Sequence, residues 1–163
     1  MTADPAGLLG DARGEVLRFC LVRHDEVTRL DELARKLRSL NGEGSTRIQR
    51  PDLLSALLLS GLALARTKAQ TLVVFPGIGV RFEYPLKLND AGRVKAFSKS
   101  HWPSPSGRPA LGYVHGALIR LALQAAETDE SFLTSDLAPR LVLPAAVEES
   151  RAGRGKYGRK AKS

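Results

Sequence analysis

The stretch Val80–Asn89, VRFEYPLKLN, places Val80, Phe82, Tyr84, Leu86 and Leu88 at its even positions and Arg81, Glu83, Pro85, Lys87 and Asn89 at its odd ones. Strict alternation of this kind describes a β-strand with one buried face. An ordinary solvated face needs only generic polar residues. Arg, Glu, Lys and Asn are also the side chains whose donors and acceptors match base edges in a DNA groove. The use of the odd face is therefore the question that the rest of the chain must answer.

Working outward, Val16–Val22, VLRFCLV, is a second strand candidate. Leu17, Phe19 and Leu21 are expected to face the helices, together with the even residues Val80–Leu88, leaving Arg18, Cys20 and Val22 on the opposite side. An amphipathic helix follows, with Asp25 as N-cap, Val27, Leu30, Leu33, Ala34, Leu37 and Leu40 at helical spacing, and Asn41-Gly42 as its stop. A third segment, roughly Pro51–Arg66, is apolar on nearly all sides and must be covered all round. The second half repeats the plan. Strand Val80–Leu88 leads to a short helix, about Asp90–Lys99, with Val94 and Phe97 inward, and then to an apolar helix from Pro109 to about Ala126. Both long helices open on Arg-Pro, at Arg50-Pro51 and Arg108-Pro109. A duplicated strand–helix–helix unit is the most informative feature of the chain.

The chain of 163 residues has the length of one domain. Residues 1–14 are expected to be disordered, 15–147 to fold as one body and 148–163 to form a basic disordered tail. Within the folded body the units span about 15–70 and 78–126, followed by an irregular appendage containing Pro139 and Pro144. Twenty-five Lys and Arg against 17 Asp and Glu give a formal charge of +8, which favours a polyanionic partner. The single cysteine, Cys20, excludes an internal disulfide and fits a reducing compartment. The longest nearly apolar run, Leu53–Ala65, is too short to span a bilayer, and the N-terminus lacks the apolar core of a signal peptide. A cytoplasmic protein with no membrane partner is expected.

A strand followed by two helices, the second strongly apolar, resembles the half-unit of the ribbon-helix-helix DNA-binding family. With both halves in one polypeptide, the chain looks like a single-chain pseudodimer. The resemblance is closest to the virC-operon proteins that enhance T-DNA transfer, through Ser100-His101-Trp102, the Pro/Gly loop, Arg108 and Ala110-Leu111-Gly112. It weakens in the first half, and the second unit carries extra residues around Pro85–Asp90. The resemblance implies a tandem ribbon-helix-helix, α+β and mostly α, whose strands pair into one antiparallel ribbon. It also implies plasmid or border-region double-stranded DNA as partner and DNA transfer as process.

On this reading the ribbon enters a major groove, and Arg18, Val22, His24, Arg81, Glu83, Lys87 and Asn89 are the base-reading residues. Ser45, Thr46, Arg47 and Arg50 at one helix start, and Ser106, Gly107 and Arg108 at the other, are placed to bind phosphates. The tail residues Arg151, Arg154, Lys156, Arg159, Lys160 and Lys162 would add sequence-independent affinity. A solvated sheet face, ordinary loop chemistry and a solubilising tail are the plainer readings of the same residues. The histidines His24, His101 and His115 lack metal-ligand spacing, and no nucleophile elbow or phosphate-binding loop is present. A monomeric, non-enzymatic DNA-binding protein without metal or cofactor is expected, with a relaxase or ParA-like ATPase as a candidate protein partner. A transcriptional repressor of the same fold and a protein–protein scaffold are the alternatives.

Overall fold

The alternating segments form two strands, and the apolar-periodic segments form the helices packed beneath them. The computed structural model describes residues 14–41, 48–68, 72–74 and 79–141. Strand β1 (Glu15–Val22) leads into helix α1 (His24–Asn41) and helix α2 (Arg50–Lys68). Strand β2 (Val80–Lys87), helix α3 (Leu88–His101), a 3₁₀ turn (Pro105–Gly107) and helix α4 (Leu111–Thr128) follow in the same order. The strands form a single antiparallel ribbon, and the expected mostly helical α+β class stands. The expected N-terminal segment, apart from Gly14, and the basic tail lie outside the described residues.

The register runs without a bulge from Glu15 opposite Lys87 to Val22 opposite Val80. The extra residues expected around Pro85–Asp90 do not show as a bulge in the pairing; β2 stops at Lys87, and Leu88, expected inside the strand, opens α3 with 49% of its surface exposed. The same step along the chain that carries Val22 onto Leu86 carries His24 onto Leu88. The two strand-to-helix junctions are therefore equivalent. Helix α1 starts two residues earlier than Asp25-capping predicts, with Arg23 in the cap position. The Glu26 carboxylate accepts the Arg23 N–H at 2.7 Å, satisfying a donor at the helix start.

Each strand rests chiefly on the long helix of the other unit, β1 on α4 and β2 on α2, while α2 and α4 pack against each other. Helix α1 also lies along α4. This exchange explains how a helix as apolar as α2 is covered. Leu53, Leu54, Leu57 and Leu58 of α2 share one core with Val114, Leu118, Ile119 and Leu123 of α4. Each fully buried leucine contributes about 1.5–3 kcal/mol relative to exposure. The helices cross where a side chain cannot fit: a Cβ on Gly61 would stand 2.0 Å from the Leu118 carbonyl oxygen. Strand β1 meets α4 as closely, since a Cβ on Gly116 would stand 2.1 Å from the Leu21 carbonyl oxygen.

The appendage after α4 is helical rather than irregular as far as residue 141. It comprises Glu130–Phe132, a π turn at Leu133–Leu137 and Ala138–Leu141. Phe132, Leu133 and Leu137 are buried and close the core against α2 and α4, which is why this stretch is ordered as helix. Ion pairs fasten α1 to α4. Arg120 holds the buried Glu26 through two hydrogen bonds, one of 2.9 Å, and its third N–H reaches the Val73 carbonyl at 2.7 Å. Arg29 engages both oxygens of Glu127 at 2.9 and 2.5 Å. No helix among the described residues is long and apolar enough to cross a membrane.

Candidate nucleic-acid interface

Antiparallel partners in a ribbon share a face, and neighbours along a strand alternate. The register therefore sets Glu15, Leu17, Phe19 and Leu21 beside Lys87, Pro85, Glu83 and Arg81 on one face. The other face carries Val16, Arg18, Cys20 and Val22 beside Leu86, Tyr84, Phe82 and Val80. Cys20, Val22, Tyr84 and Leu86 are buried, so this second face looks at the helices. For β2 the expected orientation holds, with Arg81, Glu83 and Lys87 exposed.

For β1 the expectation is reversed. Val22, expected to read bases, is 1% exposed and lies in the core, and Arg18 points to the inner side opposite Tyr84. Leu17, Phe19 and Leu21, expected inside, line the outer face. The cause is steric. Phe82 already fills the space under the ribbon, so the smaller Cys20 fits across from it, while Val22 packs beside Val80. The half-buried Arg18 donates to the Leu17 carbonyl at 3.0 Å. His24 and Asn89 are exposed, but they sit in the first turns of α1 and α3, beyond opposite ends of the ribbon.

The outer face has an internal architecture. The Arg81 guanidinium lies 3.9 Å above the centre of the Phe19 ring and 3.1 Å from a Glu83 carboxylate oxygen. A cation–π contact and an ion pair thus hold one planar donor group in place. Phe19 is itself backed by α4, where Gly112 leaves its ring room: a Cβ there would approach the ring to 2.4 Å. Leu17 is 62% exposed and faces Pro85 across the ribbon, and the exposed Lys87 closes that end beside Glu15.

Beneath the ribbon sits a buried polar pair. The Tyr84 hydroxyl meets Nδ1 of His115 on α4, and both side chains are almost fully buried. Burial, and then the charge of Arg18, push the His115 pKa down to about 4. Burial drives the Tyr84 phenol upward, so both groups are uncharged. With the ring proton on Nε2, Tyr84 donates to Nδ1, so the hydroxyl and that ring nitrogen satisfy each other. The pair ties β2 to α4.

The proposed phosphate-binding residues have other partners. Arg50 pairs with Asp31 at 2.8 Å and stacks over Phe82 at 4.7 Å. Arg108 donates to the carbonyls of Trp102 at 2.9 Å and Pro103 at 3.1 Å, closing the loop between α3 and α4. Helix α4 starts at Leu111, with Ala110 as its cap, so Ser106, Gly107 and Arg108 do not flank its free N–H groups as expected. The Ser106 hydroxyl bonds to Ser104 at 3.0 Å, and Gly107 ends the 3₁₀ turn. Ser45, Thr46 and Arg47, and the tail residues Arg151, Arg154, Lys156, Arg159, Lys160 and Lys162, lie outside the described residues. Among the described residues no three His, Cys, Asp or Glu side chains are grouped to hold a metal ion.

Sequence reasoning missed Phe19 as an outer-face residue and as the seat of Arg81. Two glycines one helical turn apart, Gly112 and Gly116, are the signal that α4 would run directly against β1. No family model matches the chain, and comparison with curated proteins and with solved structures gives no match either.

Proposed function

We propose that the chain is a single-chain ribbon-helix-helix protein that binds double-stranded DNA by laying the outer face of its ribbon in the major groove. One observation carries this reading. A two-stranded antiparallel ribbon presents Arg81, Glu83 and Lys87 on an exposed face, in a chain of formal charge +8. A two-stranded ribbon has the width of the major groove, and alternate side chains then reach base edges. The exchanged packing of the strands on the opposite long helices supports the single-chain pseudodimer. The resemblance noted for the second unit makes an accessory role in conjugative or T-DNA-type transfer the process of choice. A repressor would use the same face.

Selection of bound fragments from random duplex by the full chain tests the reading. A defined sequence preference is expected, weakened by about 1–3 kcal/mol when Lys87 is replaced by Ala. Equal binding to all sequences by the wild-type chain would sink it.

A further inference from the structure

The equivalence of the two units makes the ribbon's asymmetry informative. The step that carries Val22 onto Leu86 also carries Leu17 onto Arg81 and Phe19 onto Glu83. Two identical halves would present the same residues at both ends of the ribbon, but this chain does not. Toward one end Arg81 lies opposite Leu21, stacked on Phe19 and paired with Glu83. Toward the other, the largely exposed Leu17 lies opposite the exposed Pro85.

These ends suit different chemistry. A guanidinium held flat over a ring presents a fixed fork of donors, the arrangement that matches guanine O6 and N7. Glu83 occupies part of that fork and leaves further N–H groups for a base. The Leu17 and Pro85 side chains supply neither donor nor acceptor. On the major-groove edges of the four bases, the one apolar group is the C5 methyl of thymine. A polar edge set against Leu17 would lose its water without gaining a partner. The apolar end contributes discrimination between bases.

We infer that the ribbon recognises a non-palindromic duplex site, with a guanine under Arg81 and a thymine methyl under Leu17 and Pro85. Phe19 and Glu83 act as positioning residues for Arg81. The inference rests on the DNA-binding reading given above. Arg81 and Pro85 are four residues apart on one strand. That is roughly 14 Å at ~3.4 Å per residue, or about four base-pair steps.

The test begins with site selection by the full chain. In the selected duplex, each thymine is then replaced by deoxyuridine, which removes only the methyl, and each guanine by 7-deazaguanine, which removes only the N7 acceptor. Deoxyuridine at one position should cost about fourfold in affinity, the worth of one buried methyl. 7-Deazaguanine about four base pairs away should cost about tenfold. L17A should bind thymine and deoxyuridine duplexes equally while keeping the guanine effect, and R81A should show the reverse. A palindromic site, or an L17A chain that still distinguishes deoxyuridine, overturns the inference. The DNA-binding reading would survive if R81A or K87A still altered the preference. If the wild-type chain shows no sequence preference, both fall together.

Discussion

At the scale of single residues, His115 and Tyr84 put a titratable pair in the middle of the core, and its protonation state is tied to folding. The His115 pKa is pushed down to about 4 in the folded chain, against an ordinary value of 6.5. Between these values the unfolded chain binds a proton that the folded chain does not. Stability is therefore complete above about pH 6.5 and falls as the pH drops toward 4. The loss amounts to roughly 3 kcal/mol from this one group. Thermal unfolding followed from pH 7 to pH 4 should show that decline. His115→Gln, whose amide oxygen still accepts from Tyr84, should flatten the curve over this window, and an unchanged slope would remove His115 as its source. Cys20 yields a second prediction. Burial raises its thiol to about 12 and leaves it 0% exposed, so alkylation at pH 8 should be undetectable in the folded chain and complete within minutes in denaturant. At this scale the sequence was legible on β2, because Arg81, Glu83 and Lys87 differ in kind from Phe82, Tyr84 and Leu86.

Between elements, legibility depended on contrast. Strand β1 offers apolar residues on both faces, Leu17, Phe19 and Leu21 against Cys20 and Val22, so alternation alone cannot say which face is buried. The choice is made by volume across the ribbon, where the small Cys20 fits opposite Phe82, and by the bare backbone of α4 at Gly116. Such information lies in long-range pairing rather than in local period. Paired substitutions check the assignment: Val22→Asp should unfold the chain, whereas Leu17→Asp should change the melting temperature little. The opposite order would restore the face assignment expected from sequence. The link between α1 and α4 gives another check. Arg120→Ala leaves the Glu26 carboxylate buried without its cation and should destabilise by about 3–5 kcal/mol in denaturant titration. The exposed pair Arg23–Asp25, by contrast, should be worth under about 1 kcal/mol. The helices themselves were readable from apolar spacing. The helical stretch 130–141 was missed because its Pro139 reads as a breaker, whereas Phe132, Leu133 and Leu137 find a core to cover.

For the molecule as a whole, the exchange of strands between units means that neither β-α-α unit closes its own core. The two units meet in a single cluster that contains most of the buried leucines. Separate chains ending and beginning in the 69–79 linker should each be largely unfolded by circular dichroism and regain helix when mixed. The intact chain should sediment as a monomer at micromolar concentration. An obligate dimer would mean that the units complete copies of each other instead. The repeated order was visible in the sequence as two alternating strands, each followed by two apolar-spaced helices, although only the first Arg-Pro, Arg50-Pro51, opens its helix. The crossing that unites them depends on Gly61 against the Leu118 backbone, a contact that no period announces. The central claim is that the outer face of the ribbon reads duplex DNA, and the most direct measurement compares binding by chains altered on that face. Anisotropy titrations of the selected duplex and a scrambled duplex, at fixed salt, should show R81A and K87A losing about 1–3 kcal/mol on the selected duplex and little on the scrambled one. Their melting temperatures should stay within a few degrees of the wild-type chain. If both variants keep full affinity and the same discrimination, the outer face is a water face and the account is contradicted.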